Sequence, residues 1–360
     1  MLKIDGNDIR IENIRKIEEL NVPIFIYGSG VYGRVVADYL KENGVVSPIR
    51  YVVDDKYVKT INDECPLSVY LQKYADESIL VFGFYNYELV KAKRKELEEK
   101  VKNIFEFHMT SLDTRRVEWD KKLAEERLSM YQKSYDLLSD EKSRETMQLY
   151  LRAAVNGEFD ELYERCHEDI AYFNELTKSV GTKVLVDCGA FDGDSIHDFI
   201  QMNSEYQMIY ALEPDASNQE KLNARIEREH MHDVTVIPKG VFKESTDLHF
   251  SSDGTSASHF LNEGGISIPV IALDELLEDI TGKIMIKMDI EGCELDALIG
   301  AKNTITTKHP CLAICVYHKE TDLIEIPQFI DSLVERGTYD YYLRFHGEDL
   351  AELVFYAIPK

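Results

Sequence analysis

The chain has 360 residues, 44% hydrophobic and 30% charged, with a formal net charge of −25. That length and mix describe an ordinary globular protein with room for two domains and large cores. The acidic excess argues against nucleic acid as a partner, because no basic face shows that would displace counterions from phosphates.

The six cysteines, at 65, 166, 188, 293, 311 and 315, form neither CxxC pairs nor zinc-type spacings. Cys311 and Cys315 fall on one side of an apolar run and read as small buried hydrophobes. The start of the chain has no signal-peptide core, and no window reaches the length of a membrane span. A reduced, cytoplasmic protein with no membrane partner is expected.

Taken in order, residues 8–20 predict a short amphipathic helix. Then Pro23-Ile24-Phe25-Ile26-Tyr27 runs as a strand into Gly28-Ser29-Gly30-Val31-Tyr32-Gly33, and a helix extends to about Asn43. A second strand, Tyr51-Val52-Val53, ends at Asp54, twenty-one residues past Gly33. Strand, glycine turn, helix, strand and acid are the context in which G-x-G-x-x-G binds a nucleotide. Gly28, Gly30, Gly33 and Asp54 are therefore a candidate nucleotide site, weighed against a turn kept for packing. A further strand at 78–84 and a helix from Glu88 to Val101 complete a small Rossmann-like α/β domain over 1–110. Within it Tyr87 and Lys91 match Y-x-x-x-K of short-chain dehydrogenases, too close to Gly33 for that fold and best read as chance.

Residues 111–179 have no strand-like run and predict helices at about 117–136, 140–156 and 158–178. They read as a helical connector; alternatively Tyr172 and Phe173 belong to a lid over a cleft. From 180 to 360 strands and helices alternate, predicting a mostly parallel sheet covered on both faces. Val184-Leu185-Val186-Asp187 enters the turn Cys188-Gly189-Ala190-Phe191-Asp192-Gly193, and Ile209-Tyr210-Ala211-Leu212 ends at Glu213, twenty residues past Gly193. An acid at that strand tip is placed to accept from ribose hydroxyls. Acids in the turn suit a cationic nucleoside better than a pyrophosphate, and S-adenosylmethionine is such a ligand. Gly189 and Gly193 would admit its methionine end, Asp187 and Asp192 its ammonium, Glu213 its ribose, and Gly240 would lie beside the adenine. The segment 244–270 reads as a β insertion walling the cleft.

Asp187, Glu213, Asp289 and His318 all fall at carboxyl ends of predicted strands, where ligands of such sheets sit. Asp289 and His318 are the candidate bases, a histidine being suited to take an alcohol proton near neutrality. His259 and His346 are alternatives. Glu291 and Glu294 read as acids complementing a helix dipole, so no metal site is expected.

Lys287-Met288-Asp289-Ile290-Glu291-Gly292-Cys293-Glu294, with Leu273-Asp274-Glu275-Leu276 before it, resembles the FkbM family of methyltransferases. Tyr317-His318, Tyr341-Tyr342-Leu343-Arg344-Phe345-His346 and Leu353-Val354-Phe355-Tyr356-Ala357 carry the resemblance to the C-terminus. It implies a class I methyltransferase fold with a seven-stranded sheet, S-adenosylmethionine as donor, and a hydroxyl acceptor on a saccharide or secondary metabolite. The glycine turn departs from the general pattern, with Gly189 and Gly193 where three close glycines are usual. Two other readings remain: a nucleotide-sugar or NAD-dependent sugar-modifying enzyme using the first domain, and a non-catalytic nucleotide-binding scaffold.

Overall fold

The computed structural model describes residues 1–58, 64–107, 119–250, 260–261 and 266–360. A first sheet of five parallel strands has Ile24–Tyr27 at its centre, flanked by Ile49–Val53 and Ile79–Phe82, with Cys65–Pro66 and Ile104–Phe105 outside. Both faces of its central strand are covered, since Ile24 and Ile26 enter one apolar cluster while Phe25 and Tyr27 enter another.

The second sheet has seven strands and is mixed. Met208–Leu212, Val184–Cys188, Ile284–Met288 and Cys311–Cys315 lie side by side and parallel, with Val234–Ile237 at one edge. Leu353–Pro359 and Tyr339–Phe345 close the other edge antiparallel. The central strands are apolar throughout because each face buries alternate residues. Val184, Val186 and Ile286 point into one cluster, and Leu185, Met285, Cys311 and Cys315 into the other. A small four-stranded sheet runs in the order Phe260–Leu261, Thr246–Phe250, Ile266–Ile271 and Gly240–Val241.

The helical stretch lies on the C-terminal sheet. Asp140 caps the helix Glu141–Asn156 through Ser143 N at 2.8 Å, and Arg344 on the edge strand donates to that same Asp140 at 2.6 Å. Its Tyr150 hydroxyl donates to Leu350 O at 2.7 Å. The next helix, Phe159–Cys166, stops well short of 178, because Glu168 N turns aside to donate to Phe345 O of the edge strand at 2.9 Å. The chain then crosses to the carboxyl edge of the sheet with Tyr172 in a left-handed conformation. Tyr87 and Lys91 serve packing: the Tyr87 ring stacks on Tyr163 at 4.1 Å, and Lys91 pairs with Glu106 and Asp160. No helix among the described residues is long and apolar enough to cross a membrane.

In the first glycine turn a Cβ on Gly33 would fall 2.0 Å from Gly28 O, whereas one on Gly30 would meet nothing within 4 Å. Gly33→Ala is expected to cost about 1–3 kcal/mol through overpacking. Gly30→Ala should leave the chemical denaturation midpoint nearly unmoved. Equal midpoints for the two variants would refute this packing account.

Candidate active site

Four parallel strands bring Gly189, Glu213, Asp289 and the Tyr317-His318 pair to one edge of the seven-stranded sheet. A cavity of about 1410 Å³ opens there, its lining including Tyr172, Phe191, Glu213, Gly240, Asp289 and Glu352. It is larger than most small-ligand clefts.

At one end, Glu213 is fixed by the backbone. Phe191 N donates to Oε2 and Asp215 N to Oε1, each at 2.9 Å. Burial raises its pKa, partly offset by those two amides. A carboxylate has about four acceptor positions, so roughly half remain for a ligand. Phe191, the left-handed residue between the two glycines, leaves 51% of its surface exposed on the cavity wall. Gly240 begins its short strand on the same wall, with Val270 Cγ1 3.2 Å from where its Cβ would be.

The remaining turn residues are engaged with protein. Asp187 is wholly buried; Lys287 Nζ lies 3.1 Å from Oδ1, and Ser195 Oγ donates to Oδ2 at 2.5 Å. The contact with Lys287 is ionic rather than an aligned hydrogen bond, and Lys287 donates instead to Gly189 O at 2.9 Å. Burial works against the Lys287 ammonium, but the Asp187 charge together with that of Asp289 outweighs it and keeps the amine protonated. Asp192 accepts from Arg225 at 2.8 Å. A Cβ on Gly189 would strike Asp289 O at 2.0 Å and one on Gly193 would strike Leu222 at 2.7 Å, so protein fills the space both glycines make. Asp187 is thus a brace under the turn rather than an exposed acceptor.

At the other end stands Asp289. Tyr172 OH donates to its Oδ2 at 3.2 Å and lies 3.2 Å from Cys315 Sγ. Tyr317 OH sits between Asp289 Oδ1 at 3.3 Å and Glu352 Oε1 at 3.4 Å and donates to one at a time. His318 Nε2 is 3.4 Å from Asp289 Oδ1, and its Nδ1 is 2.9 Å from the buried Glu294 Oε1. Burial pushes the imidazole pKa down, but Glu294, then Asp289 and Glu291, overcome it and raise it to about 10. His318 therefore carries a proton at neutral pH and faces Asp289 as its ion-pair partner, not as the proton acceptor its residue type suggested. Asp289, Glu294 and His318 bring ligand-type atoms within 4.8 Å of one another, and the imidazolium supplies the positive charge of that group.

Of the other candidates, His346 is held by Glu168 O at 2.8 Å and Tyr356 OH at 3.1 Å, while His259 lies outside the described residues. In the first sheet Asp54 accepts from Tyr27 OH at 2.5 Å and lies 3.5 Å from Lys93, so it does not share a site with the large cavity. Sequence reasoning missed Lys287 and Glu352. Their only signals are a lysine inside an apolar strand and an acid just before one.

The mixed seven-stranded sheet, with Glu213 and the Asp289–Tyr172–Tyr317 group at its carboxyl edge, has a methyltransferase-like α/β fold. Residues 187–341 match the family model described as Methyltransferase FkbM domain. A crystal structure of methyltransferase FkbM from Methylobacillus flagellatus is similar over 96% of this chain and 93% of that one, with a TM-score of 0.74 and 20% identity. That likeness is one of fold. Two further solved structures are similar over part of the chain. An O-methyltransferase from Bacillus cereus in complex with SAH covers 64% of it and 97% of its own length, at 12% identity and TM-score 0.33. An rRNA methylase from Streptococcus thermophilus covers 52% and 92%, at 13% identity and TM-score 0.33. No curated protein matches the chain in sequence.

Proposed function

We propose that the chain transfers a methyl group from S-adenosylmethionine to a hydroxyl of a saccharide or secondary-metabolite acceptor. Residues 180–360 would form the catalytic domain, 1–110 a nucleotide-binding-type domain and 111–179 a connector. The observation that carries the reading is Glu213, a carboxylate held by two backbone amides on the wall of the large cavity with acceptor positions to spare. Glu213 would hold the ribose hydroxyls, and Phe191 and Gly240 would border the nucleoside.

When bound, the donor supplies an electrophilic methyl on a sulfonium. The chain's own residues align the acceptor and move its proton. Asp289 faces the cavity and would take the hydroxyl proton as the new O–C bond forms. Tyr172, Tyr317 and protonated His318 orient its two oxygens, and the buried Lys287–Asp187 pair holds the turn on which the donor would rest.

Calorimetric titration with S-adenosylhomocysteine tests this reading. Glu213→Ala should weaken binding by about 1–3 kcal/mol, roughly 5- to 150-fold, the loss expected when hydroxyls go unpaired. Wild-type affinity in that variant would remove Glu213 from the site.

A further inference from the structure

The cavity is charged unevenly. Among the described residues that line it, Lys287 is the only lysine or arginine, and it is 5% exposed and committed to Asp187 and Gly189 O. Carboxylates, in contrast, recur along the whole wall. The strand order places them in two groups. Glu213 ends Met208–Leu212, next to the Val184–Cys188 strand on one side. Asp289 follows Ile284–Met288 on the other side of that strand, and Glu352 precedes Leu353–Pro359, two strands beyond Ile284–Met288. Because Leu353–Pro359 runs antiparallel, its beginning meets the carboxyl edge. Asp289, Glu291 and Glu352 therefore gather at the end of the cavity away from Glu213, where the acceptor would lie.

The single proton on His318 is shared among Asp289, Glu291 and Glu294, at 3.4, 3.8 and 2.9 Å, so it offsets only one of those three charges, and Glu352 adds a fourth carboxylate. Negative charge crowded into a partly buried space is costly unless a cation joins it. Glu352 shows the crowding: burial first, then the Asp289 charge, raises its pKa to about 7. An acceptor bearing phosphate or carboxylate would add to the excess and find no guanidinium or lysine presented to it. A protonated amine would relieve it.

Building on the methyltransferase reading, we infer that the acceptor is a polyol carrying a protonated amine, of amino-sugar type. Its ammonium is received by Glu291 and Glu352 while a hydroxyl is presented to Asp289. The charge pattern excludes anionic sugars and sugar phosphates from this end of the cavity.

The test uses full-length protein saturated with S-adenosylhomocysteine at pH 7, with glucosamine, glucose and glucose 6-phosphate as matched probes followed by ligand-observed NMR. Glucosamine should bind at least tenfold more tightly than glucose, and glucose 6-phosphate should not bind. The preference should shrink in Glu291→Gln, whose half-exposed side chain the fold can lose, and largely vanish in Glu291→Gln/Glu352→Gln. No glucosamine binding, equal binding by glucose or the phosphate, or a preference unchanged in Glu291→Gln would overturn the inference. If S-adenosylhomocysteine itself does not bind, the methyltransferase reading fails and this one with it. If it binds and the amine ranking is absent, only the acceptor class is wrong.

Discussion

Asp289→Asn is expected to reduce turnover about a hundred- to ten-thousand-fold, the usual worth of a positioned proton acceptor. The amide keeps the size of the side chain and one oxygen for the hydroxyls of Tyr172 and Tyr317, which stand 3.2 and 3.3 Å from the carboxylate. It cannot take a proton. The loss should fall on kcat, with affinity for S-adenosylhomocysteine changed only a few-fold, because Asp289 lies at the end of the cavity away from Glu213. Single-turnover transfer to an acceptor that the wild type methylates separates the two quantities. A loss below tenfold would send the proton elsewhere, with Glu352 the next carboxylate on the wall.

The second large effect concerns the fold beneath the site. Lys287→Met should destabilise the protein by about 3–5 kcal/mol, because it strands the Asp187 carboxylate without its cation. Asp187 is wholly buried and Lys287 is 5% exposed, so water does not substitute for the missing partner. Changing both, Asp187→Asn with Lys287→Met, should recover most of the loss, since no charge then remains unpaired. Urea denaturation of the single and double variants measures this. Equal destabilisation by both would mean that packing around the pair, rather than its charge, holds the turn.

The strand-and-turn pattern of both sheets is legible in the sequence because buried parallel strands are continuous apolar runs that stop at glycine turns. The two last strands are equally visible, but their antiparallel direction is not, since periodicity carries no direction. The candidate site was legible as a set of strand-end residues and less so as a set of roles. Asp187 looks like a ligand until the register sets it beside Lys287 on the next strand. His318 looks like a neutral base until Asp289, Glu291 and Glu294 surround it. Both outcomes depend on neighbours distant in sequence, about a hundred residues for Asp187 and Lys287 and about twenty-five for His318 and its acids. The glycine turn of the first sheet shows the same limit: Gly33 is needed for packing, Gly30 is not, and the motif reads the same either way. Tyr172 reaches Asp289 only because the helix before it ends early against Phe345.

The most direct test of the account is a crystal structure of the protein with S-adenosylhomocysteine. The ligand should lie in the large cavity, its ribose hydroxyls on Glu213 and its sulfur turned toward Asp289. A nucleoside seated instead at the Gly28–Gly33 turn, with the large cavity open, would contradict it.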